Sequence, residues 1–181
     1  MIWLIPGIVS FACFLLFDIE KAAGKRNAPA LFFVGVLLLA ISTVELFLAH
    51  TFESREIWRI VCGIIAVIWF FALLYVLFAA LPAKKVYSGV NRLQTCSSGV
   101  YALCRHPGGW CFFFLYWFLW LYAPSIQLLY AAIVFPAINF LYIWVQDCYL
   151  FPKYIEGYDN YKQTVPFLFP TGHSLQKFLS R

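Results

Sequence analysis

Five apolar runs constrain the fold of this chain more than any other feature. They cover residues 1–17, 30–49, 57–83, 109–123 and 125–146. A helix needs roughly 20 apolar residues, at 1.5 Å of rise each, to cross the hydrocarbon core of a bilayer. Of the 181 residues, 64% are hydrophobic and only 12% are charged, so a water-soluble core could not hide these runs. We therefore predict an all-α integral membrane protein with five transmembrane helices.

The length of the chain fits a single membrane domain, residues 1–181, without room for a second domain of ordinary size. Residues 1–83 are predicted to form a three-helix membrane part. Residues 84–181 hold the last helical hairpin, the carboxyl-terminal tail and most of the polar and turn-forming residues. The first run has no basic region before it and no clear cleavage site after it, so we expect it to be retained rather than removed as a signal peptide. Any chemistry is expected in the second part.

The basic residues determine the expected orientation, because five crossings place the two termini on opposite sides of the membrane. One side would carry Lys21, Lys25, Arg26, Lys84, Lys85, Arg92, Arg105, Lys153, Lys162, Lys177 and Arg181, and the other only Arg55 and Arg59. The amino terminus is therefore predicted outside and the carboxyl terminus in the cytoplasm. Attraction to anionic lipid explains the net charge of +5, so we expect no nucleic acid partner and infer no protein partner. The pattern does not distinguish the cytoplasmic membrane from that of the endoplasmic reticulum.

The six cysteines do not suggest a metal site or a disulfide. They are Cys13, Cys62, Cys96, Cys104, Cys111 and Cys148, and they include no CxxC pair and no histidine at metal-ligand spacing. Packing is the expected role of the two beside the Arg-His-Pro segment. Glu45, an acid inside the second run, lies about one turn from the outer interface, where snorkelling or protonation is the simpler explanation.

The fourth and fifth runs are predicted to form a tight antiparallel hairpin, since only the uncharged turn around Pro124 and Ser125 separates them. Two crossings of roughly 20 residues each lead from Arg105 out and back to Asp147. These two residues should therefore meet at one membrane depth, at the cytoplasmic mouth of the hairpin. Pro136 should kink the second helix of the hairpin. Such a kink opens a cavity or serves packing alone, and the sequence leaves both alternatives open.

A polar set gathers at this predicted mouth. It comprises Tyr101, Arg105, His106, Gln146, Asp147, Tyr158 and Tyr161, with glycines at positions 99, 108 and 109. An arginine can bind a carboxylate or phosphate with two parallel hydrogen bonds, and an aspartate can bind an ammonium group. Glycines permit a ligand to approach the backbone closely. The set suits a zwitterionic or phosphate-bearing cofactor, although juxtamembrane arginine, tyrosine and aspartate are also ordinary interface anchors.

Two segments in register carry a family resemblance. The segment SSGVYALCRHPGGW, followed by the hairpin and then by QDCYLFPKYIEGYDNYKQTVPFLFP, resembles the isoprenylcysteine carboxyl methyltransferase family and its relatives among the phospholipid methyltransferases. The matching residues are Gly99, Val100, Tyr101, Arg105, His106 and Pro107 in the first segment, and Leu150, Tyr158, Tyr161, Val165 and Pro166 in the second. The resemblance covers roughly residues 97–170.

The resemblance implies S-adenosylmethionine as the cofactor, bound at the cytoplasmic end of the last helices. The residues implied around the cofactor are Tyr101, His106, Pro107, Gly108, Gly109, Gln146 and Asp147. Arg105 would be the catalytic residue that positions substrate or cofactor. Gln146 and Asp147 stand where the family has a Glu-Glu pair. Tyr142, the implied substrate-binding position, stands where prenylcysteine enzymes have an arginine for the substrate carboxylate, which argues against such an acceptor and leaves an amine, a thiol or another lipid-borne nucleophile.

Three functions follow from this pattern as alternatives. The leading one is an integral membrane S-adenosylmethionine-dependent methyltransferase acting on a small lipophilic or lipid-linked acceptor. The second is an NADPH-dependent membrane reductase on a similar scaffold, for which Arg105 and Lys153 supply few phosphate ligands. The third is a non-catalytic membrane scaffold protein, suggested by the altered acidic pair.

Overall fold

The computed structural model describes residues 2–24, 28–49, 56–80, 93–95 and 97–179, and 82% of these residues are helical. The helices are α1 (Leu4–Ala22), α2 (Ala28–Leu48), α3 (Ile57–Leu74), α4 (Pro107–Tyr122), α5 (Ile126–Val145), α6 (Phe151–Tyr154), α7 (Tyr158–Thr164) and α8 (Gly172–Leu179). π-helical turns extend α3 over Tyr75–Ala79 and α5 over Gln146–Leu150, and a 3₁₀ turn covers Gly99–Ala102. A pair of two-residue parallel strands, β1 (Leu93–Gln94) and β2 (Ile155–Glu156), is added to the predicted all-helical fold.

Among the residues that the structure describes, three helical segments are long and apolar enough to cross a membrane. They are Pro29–Leu48, Ile57–Ala79 and Ile126–Tyr154. Large apolar side chains on their outer surfaces are exposed, as expected where lipid rather than water is the solvent. α1 has 19 residues but carries three charged residues in its last turns, and α4 has only 16 residues. Five crossings therefore stay a prediction that depends on α1 and α4.

The bundle is built from neighbouring helix pairs. α1 packs along α2 and against α5, while α4 packs between α3 and α5. Phe135 of α5 is fully buried at the centre, with its ring 5.4 Å from that of Tyr116 and 6.4 Å from that of Phe11. A Cβ atom at Gly7 would lie 2.2 Å from Cζ of Phe135, so only glycine allows α1 this close approach.

The α4–α5 hairpin has the predicted short connection. Pro107 occupies the first turn of α4, where its missing N–H is not needed. Ser125 caps α5, because its hydroxyl accepts a hydrogen bond of 3.2 Å from the Leu128 amide. Pro136 lies buried within α5, which is a single helix from Ile126 to Val145. The opening of a cavity by this proline stays a prediction.

Many of the residues that predict the orientation lie outside the described part of the chain. They are Lys25, Arg26, Arg55, Lys84, Lys85, Arg92 and Arg181, and His50 and Cys96 lie outside it as well. The orientation with the amino terminus outside therefore stays a prediction.

Candidate functional site

Arg105 and Asp147 meet at the end of the hairpin, as the lengths of α4 and α5 predict. The Arg105 guanidinium donates from Nε to Oδ1 of Asp147 at 2.7 Å and from Nη2 to Oδ2 at 2.9 Å. Both side chains are largely buried, with 9% and 4% of their surfaces exposed. The paired geometry is the strong, directional form of an arginine–carboxylate contact. The predicted meeting of these two residues is confirmed.

Three more side chains converge on Asp147. The Tyr158 hydroxyl donates to Oδ1 at 2.7 Å, and Nε2 of His106 lies 3.2 Å from the same oxygen. Lys162 donates from Nζ to the Asp147 carbonyl oxygen at 3.1 Å. An ionised carboxylate only accepts hydrogen bonds, so Nε2 of His106 carries the proton in this contact. Arg105, His106, Asp147, Tyr158 and Lys162 are called the Asp147 cluster below.

Arg105 also holds the carboxyl-terminal segment in place. Its Nη1 donates to the carbonyl oxygens of Lys162 at 3.0 Å and Val165 at 2.5 Å. Burial pulls the pKa of Arg105 down, but the hydrogen bonds and charge of Asp147 outweigh it, so the pKa lies above its ordinary value. Most of the guanidinium N–H groups therefore serve contacts within the protein. Contact of Arg105 with a substrate or cofactor stays a prediction.

The two halves of the sequence pattern are joined along their backbones. The amides of Arg105 and His106 donate to the carbonyl oxygens of Pro166 and Phe167 at 2.9 and 3.3 Å. Tyr161 donates from its hydroxyl to the Tyr101 carbonyl oxygen at 2.7 Å. The residues around Val165 thus lie along the Arg-His-Pro segment, which gives a physical reason for the two segments to occur together in one chain.

The other predicted residues of the first segment face the helices. Tyr101 donates from its hydroxyl to the Val76 carbonyl oxygen at 3.0 Å, which ties the 3₁₀ turn to the end of α3. A Cβ atom at Gly108 would be in ordinary contact with the Val76 side chain, and one at Gly109 would lie 2.9 Å from Cδ1 of Ile143. Gly109 therefore permits close packing of α4 against α5, whereas the position of Gly108 has room for a Cβ atom beside α3.

A second buried carboxylate, Asp18 of α1, organises the neighbouring side of the site. Its Oδ2 accepts from the Tyr142 hydroxyl at 2.5 Å and from Nε2 of Gln146 at 2.7 Å. Its Oδ1 accepts from the Tyr154 hydroxyl at 3.2 Å. Asp18, Tyr142, Gln146 and Tyr154 are called the Asp18 cluster below. Gln146 and Asp147, predicted as one pair, thus belong to different clusters.

Asp18 is not among the site residues predicted from the sequence, although a signal for it exists. It lies at the polar end of the first apolar run, on the side that is predicted to carry Lys21 and Arg105. With only 3% of its surface exposed, it is a buried acid that must find hydrogen-bond donors on another helix. The sequence does not say which helix supplies them.

Phe151 contacts rings of both clusters. Its ring stacks on the His106 imidazole at 5.7 Å and 15°, and it makes edge contacts with Tyr158 at 5.4 Å and Tyr154 at 5.8 Å. The rings of the two clusters therefore form one aromatic wall.

An open cleft of about 480 Å³ lies beside this wall, within the size range of sites for small ligands. It is lined by Pro152, Lys153, Tyr154, Ile155, Glu156, Gly157, Tyr158, Asp159 and Asn160. Gly157 has a φ of +75°, so the turn between β2 and α7 favours glycine. Tyr154 and Tyr158 each link the cleft to one buried carboxylate. Of the polar set predicted from the sequence, Tyr158 lines the cleft, and none of the residues implied around the cofactor does.

No family model matches the chain, and no curated protein or solved structure shows significant similarity to it. The interpretation of the site therefore depends on the residues and their geometry.

The described residues include no group of histidine, cysteine and acidic side chains that could hold a metal ion. The cysteines among them are free thiols at positions 13, 62, 104, 111 and 148. Burial raises the pKa of the Cys104 thiol to about 11, so this cysteine beside Arg105 is a poor nucleophile at neutral pH.

His106 makes stability depend on pH. Burial lowers its pKa below the ordinary 6.5, and the hydrogen bond to Asp147 only partly opposes this. Below pH 6.5 the unfolded chain gains a proton at this histidine that the folded chain does not, so unfolding becomes easier as the pH falls.

We expect the free energy of unfolding to decrease from pH 7 toward pH 5, and a His106→Gln variant to show a smaller decrease. Thermal unfolding at several pH values between 7 and 5 measures this decrease in stability, with a His173→Gln variant of an exposed histidine as the control. Parallel pH curves for wild type and His106→Gln would contradict the assignment.

Proposed function

We propose that this chain is an integral membrane methyltransferase that moves the methyl group of S-adenosylmethionine to a small lipophilic acceptor. One observation carries the proposal. The two segments that resemble the methyltransferase pattern are in register in the sequence, and their residues contact one another through Arg105, Asp147 and the backbone at Pro166. A chance match of short motifs does not require such contacts between its two halves.

The chemistry of the cleft suits this cofactor. S-adenosylmethionine presents a carboxylate, an ammonium group and a sulfonium ion, and so carries a net positive charge. Glu156 and Asp159 supply acids, Lys153 supplies a cation, and Tyr154 and Tyr158 supply aromatic faces that attract cations. The cofactor would be bound here, with its amino-acid end toward Gln146 and Asp147 and with the predicted residues Tyr101, His106, Pro107, Gly108 and Gly109 behind it.

The residues of the two clusters would act by positioning. The cofactor supplies an electrophilic methyl group, so that in-line placement of the acceptor contributes more to the rate than acid–base chemistry on the donor side. Arg105 and Asp147 hold Tyr158 and the residues near Val165 in fixed positions, and Asp18 holds Tyr154. Both tyrosines of the cleft are thereby fixed by buried hydrogen bonds, which is the preorganisation that a binding site requires.

The membrane arrangement is part of the proposal. Five crossings, with α1 and α4 as the two shorter ones, would place the amino terminus outside and the cleft on the cytoplasmic side. A polar cofactor would then enter from water, and a lipophilic acceptor would enter sideways from the bilayer. The protein would be a multi-pass protein of the cytoplasmic membrane or of the endoplasmic reticulum.

A non-catalytic membrane scaffold is the second candidate, and a specific observation favours it. Most of the N–H groups of Arg105 donate hydrogen bonds to Asp147 and to two carbonyl oxygens, and Gly109 permits close packing against Ile143. The same pattern could therefore be kept for stability alone. This candidate predicts that no cofactor binds.

Calorimetric titration of the purified protein in lipid nanodiscs with S-adenosylmethionine tests the proposal. We expect saturable binding that weakens about tenfold when Glu156 and Asp159 are replaced by Gln and Asn, since the two exposed acids together are expected to contribute about 1.4 kcal/mol to holding the cation. Both side chains are exposed, so these changes leave the packing intact. Glu45→Gln in α2 is the matched control. The absence of saturable binding would contradict the function, and unchanged binding in the double variant would contradict the location.

A further inference from the structure

Asp18 is a buried acid to which the proposed methyl transfer gives no chemical role beyond support. Its hydrogen-bond donors, Tyr142, Gln146 and Tyr154, are all neutral. Within the described part of the chain no arginine or lysine forms an ion pair with it, and the Lys21 ammonium lies instead over the Phe17 and Tyr154 rings, at 5.5 and 5.6 Å. A buried carboxylate with neutral donors is costly unless it is needed. Lys21 acts on Asp18 through its charge without an ion-pair contact, so the direct ionic contact is left to a ligand.

The two oxygens of Asp18 differ in their surroundings. Oδ2 is held by both Tyr142 and Gln146, and these two side chains are joined by a further hydrogen bond of 2.8 Å. Oδ1 accepts the longer hydrogen bond of 3.2 Å from the Tyr154 hydroxyl. A carboxylate oxygen has two lone-pair directions, so Oδ1 retains capacity to accept. Oδ2 thus fixes the orientation of the carboxylate, and Oδ1 faces the tyrosine.

Tyr154 connects this carboxylate to the outside. Its side chain lines the open cleft while its hydroxyl donates to Oδ1. Tyr154 therefore belongs both to the lining of the cleft and to the hydrogen-bond partners of Asp18. A tyrosine hydroxyl both donates and accepts, so it can pass a proton from a ligand to Asp18 without a change in its own net charge.

We propose that Asp18 and Tyr154 form an acceptor-side site that binds the ammonium head of a lipophilic amine and removes its proton. This inference rests on the proposed function and specifies its acceptor as an alkylamine. The negative charge of Asp18 attracts an ammonium group and repels a carboxylate. Tyr142, the predicted substrate-binding residue, contributes by holding that charge in place.

The proton of the ammonium group reaches Asp18 through the Tyr154 hydroxyl in two linked transfers. The ammonium nitrogen gives one proton to the Tyr154 oxygen as the Tyr154 proton passes to Oδ1 of Asp18. The amine becomes neutral, Asp18 becomes a carboxylic acid, and Tyr154 ends as it began. The nitrogen lone pair then forms the new bond to the methyl carbon, and the electron pair of the broken carbon–sulfur bond stays on sulfur.

Binding of three probes of equal chain length tests the charge preference without any cofactor. Wild-type protein in nanodiscs is titrated with dodecylamine, dodecanoate and dodecanol, with empty nanodiscs as the blank. We expect saturable binding of dodecylamine only, weakened at least about tenfold in Asp18→Asn, because the attraction between the ammonium group and the Asp18 charge is lost. Glu45→Gln, which also removes one acid from a membrane helix, should bind as wild type. Equal binding of dodecylamine and dodecanol, or unchanged binding by Asp18→Asn, would overturn the proposal.

A second variant separates proton transfer from binding. Tyr154→Phe keeps the ring and removes the hydroxyl, so we expect the affinity for dodecylamine to change less than about threefold while its methylation slows at least about a hundredfold. Equal loss of affinity and turnover would overturn the proton-transfer role. S-adenosylmethionine binding is measured in parallel. Cofactor binding without amine binding defeats this inference alone, whereas amine binding without cofactor binding defeats the methyltransferase and leaves an amine site.

Discussion

Replacing Asp147 with alanine is expected to lower the free energy of unfolding by about 3–5 kcal/mol, the usual effect of removing one partner of a buried ion pair. The change strands the Arg105 guanidinium, of which only 9% is exposed, without its carboxylate. It also removes the acceptor from the Tyr158 hydroxyl and from Nε2 of His106. Thermal unfolding in detergent, followed by circular dichroism, should show a decrease in Tm of roughly 10 °C.

Two further variants show whether the charge is responsible. Asp159→Asn changes an exposed acid of α7 and should alter stability by less than about 0.5 kcal/mol. The double variant Arg105→Ala, Asp147→Ala has no stranded charge, so its loss should be smaller than the sum of the two single losses. A loss below about 1 kcal/mol for Asp147→Ala, or strict additivity in the double variant, would contradict the role given to the Asp147 cluster.

The second large effect is expected at the contact between α1 and α5. Phe135→Ala removes a ring that is fully buried and should destabilise the protein by about 3–5 kcal/mol. Gly7→Ala places a methyl group where Cζ of Phe135 and Oγ of Ser42 lie, 2.2 and 2.8 Å from the new Cβ, and should cost about 1–3 kcal/mol by overpacking. In the Phe135→Ala background the same methyl group enters the cavity, so its cost should fall to that of the remaining contact with Oγ of Ser42.

Gly172→Ala is the matched control for this pair, since no atom lies within 4 Å of the position of its Cβ. It should leave Tm within about 2 °C of the wild-type value. Equal effects of Gly7→Ala in the wild-type and Phe135→Ala backgrounds would contradict the close approach of the two helices. The contact matters for the site because it holds Asp18 of α1 against Tyr142 of α5.

The meeting of Arg105 and Asp147 could be predicted from the sequence because it depends on local geometry. A short connection fixes two neighbouring helices as antiparallel, and the rise per residue then fixes which positions lie level with each other. The same reasoning predicts the helical content and the hairpin. It requires no knowledge of how the other helices pack.

The partners of Asp18 could not be predicted in this way. They lie more than a hundred positions away in the chain and depend on the packing of α1 against α5, which Gly7 and Phe135 permit. Apolar runs of similar composition do not reveal which helices are neighbours. The separation of Gln146 from Asp147 has a simpler origin, because consecutive residues on a helix point about 100° apart.

The cleft is likewise absent from the sequence prediction. Its lining runs from α6 through β2 to the first turn of α7, where the turn at Gly157 and the pairing of β2 with β1 shape the chain. Such turns depend on contacts with residues far away in sequence. The pattern of polar residues near Arg105 therefore indicated the end of the hairpin as the site, but not most of the residues that line the cleft.

The most direct test of the methyltransferase is a parallel titration of one nanodisc preparation with S-adenosylmethionine and with NADPH. We predict saturable binding of S-adenosylmethionine and no saturable binding of NADPH. Removal of the acids at Glu156 and Asp159 should weaken the binding of S-adenosylmethionine, and Glu45→Gln should leave it unchanged. Binding of NADPH alone would identify a reductase, and binding of neither would identify a scaffold; each result would contradict the proposed function.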